Sequence, residues 1–106
     1  MRILVAEPVA GEGVELLRAD HDVDERHGLG PDELVAIIGH YDALVVRSQV
    51  QVSAALISAG TRLVVIGRAG VGVDNVDLDA ATRAGITVVN APTGNTIAAA
   101  EHTLAL

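Results

Sequence analysis

Four short apolar runs, at residues 3–6, 43–46, 63–66 and 86–89, recur along the chain, and each is too short to make a helix. They are rich in Val and Ile and apolar at consecutive positions. Segments of that kind bury both faces, as strands inside a parallel sheet do. Residues 21–25 read differently: Val23 stands between Asp22 and Asp24, an alternation that suits an edge strand.

Helical patterns fill the intervals. Residues 13–19 carry Val14, Leu16 and Leu17. Residues 31–38 open with Pro31, Asp32 and Glu33, a proline and two acids where a helix N-terminus favours them, and Gly39 follows as a stop. Ser53 is placed to cap a helix over 54–59 that Gly60 ends, and Asp77 to cap one over 78–84 that ends at Gly85. A last helix should begin near Asn95 and run through Glu101 and His102 to the end. Strand and helix therefore alternate five times. With right-handed crossovers this is an α/β fold, a three-layer doubly wound parallel five-stranded sheet. The edge-like second strand points to the flavodoxin-like order 2-1-3-4-5 in a single domain.

Composition narrows the reading. The chain has 106 residues, half of them hydrophobic, with no Phe, no Trp and one Tyr, so the core must be aliphatic. The formal net charge is −7, which disfavours nucleic acid and anionic membrane surfaces as partners. All 7 basic residues are arginine, a planar fork suited to carboxylate or phosphate, although the base composition of the source genome would also account for the missing lysine. There is no cysteine, hence no disulfide or thiolate chemistry, and this fits a cytoplasmic protein. Charge appears too early for a signal peptide, and no apolar run nears the roughly 18 residues that span a bilayer. The chain stops at Leu106 inside an apolar helical pattern without a cap, the expected mark of a piece cut from a longer protein. Exposure of Ile97, Leu104 and Leu106 would then favour a homodimer through the last helix.

In open α/β sheets ligands bind beyond the carboxyl ends of the strands, where the strand order reverses. That address lies between the first and third strands. Glu7 and Pro8 follow the first strand, Arg47, Ser48 and Gln49 the third, and Gly67 through Gly72 the fourth. Arg47 and Arg68 would point into one crevice, with backbone N–H groups of Ala69, Gly70 and Val71 beside them, making an anion site. The alternative is that both arginines pair with nearby acids such as Glu7 or Asp74. Gly70 and Gly72 begin like a dinucleotide fingerprint, but Asn75 occupies the third glycine position and the segment follows the fourth strand, so it reads as a tight turn. His21, His27 and His40 read as solvated. His102, adjacent to Glu101, reads as structural, since neighbours on a helix do not face each other. Scattered histidines without cysteine make a metal site improbable.

The segments from Gly67 to Asp77 and from Asn90 to His102, together with Arg47-Ser48 after the third strand, closely resemble the D-2-hydroxyacid dehydrogenase family, and the resemblance covers essentially the whole chain. It implies a two-domain, NAD-dependent oxidoreductase of small anionic 2-hydroxy acids, with 3-phosphoglycerate, a substrate in serine biosynthesis, as the acid implied most closely. It implies that Arg47, Ser48, Arg68, Ala69, Gly70, Val71 and Asn95 belong to the substrate-binding domain's ligand cradle, with Thr96 near the cofactor. The family's catalytic His, Glu and Arg and its complete GxGxxG belong to a nicotinamide-binding domain that residues 1–106 do not contain. No catalytic residue is therefore assigned, no cofactor is expected on this chain alone, and it should not turn over substrate. A sibling hydroxyacid dehydrogenase, or an isolated folding unit without hydride-transfer role, remain as alternatives. A response-regulator-like signalling module would need an Asp where Arg47 stands. A flavin carrier would need a Ser/Thr-rich loop where Glu7 and Pro8 stand.

Overall fold

The computed structural model describes residues 1–9, 11–69 and 75–91. Its strands are β1 (Arg2–Val5), β2 (Asp22–Glu25), β3 (Ala43–Val46), β4 (Val65–Ala69) and β5 (Thr87–Ala91). Its helices are α1 (Gly11–Asp20), α2 (Pro31–Ile37), α3 (Ala54–Ala59) and α4 (Leu78–Arg83), with a 3-10 turn at Ile38–His40 after α2. All pairings are parallel and the order is β2-β1-β3-β4-β5, as the alternating sequence pattern requires.

Alternation along each strand sorts the aliphatic residues into two cores. Ile3, Val5, Ala43, Val45 and Val65 point to one face, where Val14 and Leu17 of α1 cover them. Leu4, Leu44, Val46 and Ile66 point to the other, where Leu34 of α2, Leu56 and Ile57 of α3, and Ala80 and Ala81 of α4 pack. Each strand buried on both faces must be apolar at successive positions, which is why the runs are continuous. β2 lies at the edge and buries only Val23 fully. Leu16, expected in the apolar stripe of α1, is 57% exposed, whereas Val14 and Leu17 face the sheet.

The caps follow their chemistry. Ser53 Oγ accepts the Leu56 N–H at 3.3 Å and Asp77 Oδ1 the Ala80 N–H at 3.0 Å, each satisfying a donor that the first helical turn leaves unpaired. Gly85, just past α4, has φ +75°, a conformation that an L side chain rarely adopts. Gly39 does not stop the helix where expected. It lies inside the 3-10 turn, which tightens the exit of α2 and brings Tyr41 into the core.

Two strand boundaries differ from expectation, and both differences matter at the carboxyl end. β4 begins later than residue 63 and runs through Arg68 and Ala69, because polar side chains do not interrupt backbone pairing with Val46 and Asn90. β5 likewise extends through Asn90 and Ala91. Arg68 is thus part of the sheet, not of the loop that follows it. The last helix predicted from Asn95 lies outside the described residues.

Candidate functional site

At the carboxyl end of β1 the chain places a carboxylate below the surface. Glu7 is only 6% exposed. Its Oε2 accepts the backbone N–H groups of Arg47 at 2.6 Å and Val50 at 3.1 Å, and its Oε1 accepts that of Gln49 at 3.0 Å. A loop with three N–H groups converging on one point is a ready anion cradle. Here the chain's own carboxylate fills it, so these backbone donors are not available to a ligand.

A second buried side chain holds the same loop from the other side. Asn75 is 6% exposed, and its Nδ2 donates to the carbonyls of Arg47 at 2.6 Å and Val50 at 2.9 Å. Its Oδ1 accepts a short hydrogen bond from Nε of Arg68. The backbone is fastened too: Val52 N–H donates to the Asn75 carbonyl at 2.7 Å and Asp77 N–H to that of Val52 at 2.9 Å, a parallel bridge between Val52 and Val76. The 47–50 loop therefore has three of its N–H groups, those of Arg47, Gln49 and Val50, tied to Glu7 and two of its carbonyls tied to Asn75.

This clamping exposes the loop's side chains. Arg47, Ser48 and Gln49 are exposed and, with Glu7 and Pro8, line a cavity of about 240 Å³ at the point where strand order reverses. The Arg47 guanidinium donates from Nη1 to the Pro8 carbonyl at 3.3 Å and has no carboxylate partner among the described residues. Arg68 differs. It pairs in register with Val46, so its side chain leaves on the face shared by Leu44 and Ile66, and it is 6% exposed. The two arginines share one end of the sheet, one on the rim and one buried, and both are joined to Asn75. Glu7 does not pair with either guanidinium through an ion pair; it acts on the backbone instead. Ala69 ends β4 and is half-buried. Gly70, Val71, Asp74, Asn95, Thr96, Glu101 and His102 lie outside the described residues.

The organising roles of Glu7 and Asn75 were not predicted. An acid directly after a buried strand is one signal for the first. For the second, the signal is a polar residue where a dinucleotide fingerprint would need glycine.

His27 and His40 are exposed, His27 Nε2 lying 3.8 Å from Glu25. His21, expected in solvent, is half-buried, with Nδ1 shielded and without a hydrogen-bond partner. No group of three His, Cys, Asp or Glu able to hold a metal ion occurs among the described residues. No described helix is long and apolar enough to cross a membrane.

Comparison with known proteins decides the family. Residues 3–105 match the family model for "D-isomer specific 2-hydroxyacid dehydrogenase, catalytic domain". The chain belongs to the D-isomer specific 2-hydroxyacid dehydrogenase family. It is 50% identical over 107 residues to the D-3-phosphoglycerate dehydrogenase of Archaeoglobus fulgidus, covering 100% of this chain and 20% of that protein. Among solved structures, a Pyrococcus horikoshii OT3 protein superposes with a TM-score of 0.83 at 30% identity, over 99% of this chain and 32% of that one. The NAD⁺-bound 3-phosphoglycerate dehydrogenase of Entamoeba histolytica superposes with a TM-score of 0.75 at 31% identity, over 85% of this chain and 32% of that one. The chain thus spans about a fifth of the curated relative's length.

Membership of a nicotinamide-dependent family raises the question of whether these residues could hold the cofactor. The described ones do not fit it. The position of the third fingerprint glycine, which in a dinucleotide site lets the helix pack closely on its strand, is filled by the Asn75 side chain, whose amide is fully engaged with protein. Among the described residues, the carboxyl end of the sheet presents the exposed Arg47 guanidinium and Ser48 hydroxyl, and Asn75 stands where a dinucleotide fingerprint would have glycine.

Proposed function

We propose that this chain is the substrate-binding part of an NAD-dependent D-3-phosphoglycerate dehydrogenase, recognising 3-phosphoglycerate through Arg47, Ser48 and Arg68, with the backbone of Ala69, Gly70 and Val71 and the Asn95 segment completing the cradle. Thr96 would belong to the segment near the cofactor. The whole protein would oxidise the 2-hydroxyl of this acid by hydride transfer to NAD. Residues 1–106 contribute recognition, not hydride transfer, so the chain alone should produce no NADH from 3-phosphoglycerate. The cysteine-free composition suits a reducing, cytoplasmic setting.

The observation that carries this reading is the internal filling of the loop's anion cradle by Glu7. With the backbone donors occupied, recognition falls to side chains, and those presented are a guanidinium and a hydroxyl. Arginine offers paired N–H groups that match carboxylate or phosphate oxygens. Fixing the loop beforehand lowers the ordering cost of binding. An acid bearing both a carboxylate and a phosphate suits a site with two arginines better than a single anion does.

Calorimetric titration of 3-phosphoglycerate, D-glycerate and inorganic phosphate into the chain tests the proposal. The expected result is saturable binding of 3-phosphoglycerate at a Kd of about 1 mM, or about −4 kcal/mol, since a half-site open to water leaves its charges well solvated. D-glycerate and phosphate should bind more weakly, and Arg47→Ala should weaken 3-phosphoglycerate by about tenfold. Equal binding of all three ligands, or none, would contradict it.

A further inference from the structure

The crevice beside Arg47 has a neighbour of different chemistry. A second cavity, of about 300 Å³, lies at the same end of the sheet, bounded by the connection from β2 to α2. Leu29, Pro31, Leu34 and Val50 line it; Leu34 belongs to the buried core, and Leu29 and Val50 pack against that core. The two cavities share Glu7, Pro8 and Gln49 as lining. We propose that the substrate crevice continues past Gln49 into this second cavity, which is a subsite for the uncharged aliphatic tail of a 2-hydroxy acid whose carboxylate lies at Arg47. This rests on the substrate reading above and widens the class of acid that the site takes.

The first cavity presents a guanidinium and a hydroxyl, those of Arg47 and Ser48. Among the described residues no basic side chain lines the second, and its one ionisable residue is Glu7. A phosphate placed there would meet a carboxylate and no cation, so the anionic parts of a ligand stay on the Arg47 side. An apolar tail meets a different balance. Small-molecule pockets are mainly apolar, carry few polar groups and run from about 300 Å³ upward. Each methylene fully removed from water strengthens binding by up to about fourfold. Covering a carboxylate normally costs its hydration. Glu7 is already only 6% exposed and its oxygens accept three backbone N–H groups, so little hydration is left to lose. Gln49 borders both cavities and is exposed, and its carboxamide has no hydrogen-bond partner among the described residues. Turning that side chain aside therefore breaks no contact, while its backbone N–H stays on Glu7 at 3.0 Å.

The test titrates D-2-hydroxypropanoate, D-2-hydroxyhexanoate and 3-phosphoglycerate into the isotope-labelled 106-residue chain and follows amide NMR shifts. The longer hydroxy acid has three more methylenes than the shorter, and should bind at least about tenfold more tightly. It should shift Gly28, Leu29, Val50 and Gln51 together with Arg47 and Ser48, at one Kd. 3-Phosphoglycerate should shift Arg47 and Ser48 and leave Gly28 and Leu29 unmoved. Leu29→Ser, checked by thermal melt, should cut the ratio of the two hydroxy acids to under about threefold without changing the affinity for 3-phosphoglycerate. Equal affinities of the two hydroxy acids, a folded variant that keeps the ratio, or shifts at Leu29 and Gln51 without any at Arg47 would each overturn the inference. With 3-phosphoglycerate still bound at Arg47, the substrate reading would then stand. No shift at Arg47 with 3-phosphoglycerate would instead refute that reading itself. Should the variant fail to fold, the wild type decides. Nuclear Overhauser contacts are expected from the terminal methyl of D-2-hydroxyhexanoate to the methyls of Leu29 and Leu34, and their absence at saturation would overturn the proposal.

Discussion

The two ends of the sheet use the same residue types to different effect. At the amino end, Arg2, Asp24, Asp42 and Arg62 form a part-exposed network around the buried Tyr41. Tyr41 Oη donates to Asp24 Oδ2 at 2.7 Å, Arg2 Nη2 lies 3.3 Å from the same oxygen, and the Arg2 guanidinium stacks 5.0 Å from the Tyr41 ring centroid. Asp42 accepts the Arg2 backbone N–H at 2.9 Å and Arg62 Nη2 at 3.2 Å. The Arg2 and Asp24 side chains of that network are 43% and 45% exposed. At the carboxyl end Glu7, Arg68 and Asn75 are each 6% exposed. Water competes with the first network and screens it. In the second, every unmet donor or acceptor has its full desolvation cost. The difference teaches that the amino end trims the surface, whereas the carboxyl end is a polar structure retained inside the fold at the place where α/β sheets bind ligands.

Substitutions can break this contrast in order of size. Glu7→Gln should be the most damaging. An amide supplies one acceptor oxygen to three N–H donors and turns N–H groups toward at least one of them, which should cost about 2–4 kcal/mol. Urea unfolding should show a lower midpoint at unchanged slope. A loss no greater than that of a surface ion pair would erase the distinction between the ends.

Tyr41→Phe should cost about 1 kcal/mol, the net value of one hydrogen bond, and should also change the pH profile. The Tyr41 hydroxyl, foremost, and Arg2 hold the Asp24 carboxyl below its ordinary 3.8. A carboxylate depressed by folding contributes stability that is present above about 3.8 and lost as pH falls through its lower folded value. The variant should move the Asp24 titration, read from its carboxyl carbon shift, up toward 3.8, and should flatten the acid limb of stability. Burial, and then the Asp24 carboxylate, raise the Tyr41 phenol above 10.0, so its contribution is complete below pH 10.0 and declines as pH rises through the raised value. An Asp24 titration unchanged in the variant would contradict this assignment.

Arg62→Ala should have the smallest effect, under about 0.5 kcal/mol, because the Arg62–Asp42 pair leaves the arginine side chain 54% exposed. Added salt should shrink even that difference. A larger loss that salt does not change would show that the amino end is not a screened surface network.

The sheet was legible in the sequence because burial on both faces leaves a direct trace: continuous apolar runs for β1 and β3, an alternating one for β2. Ser53 and Asp77 were legible as caps because a helix start constrains its residue locally. The address of the candidate site was read from strand order alone. Its construction did not. Glu7 acts on donors 40 to 43 residues away, and Asn75 on carbonyls 25 and 28 residues away, partnerships that no local pattern encodes. Arg68 was taken for a loop residue because an arginine breaks an apolar run, yet backbone pairing continues through it.

The most direct test of the central claim is an amide NMR map of where 3-phosphoglycerate binds, since arginines stand at both ends of the sheet. The account predicts saturable shifts at Arg47, Ser48, Gln49 and Ala69, and none at Arg2, Asp42 or Arg62. Shifts of similar size at both ends would show that the acid is attracted to exposed arginines in general, and would contradict a site built at the carboxyl end.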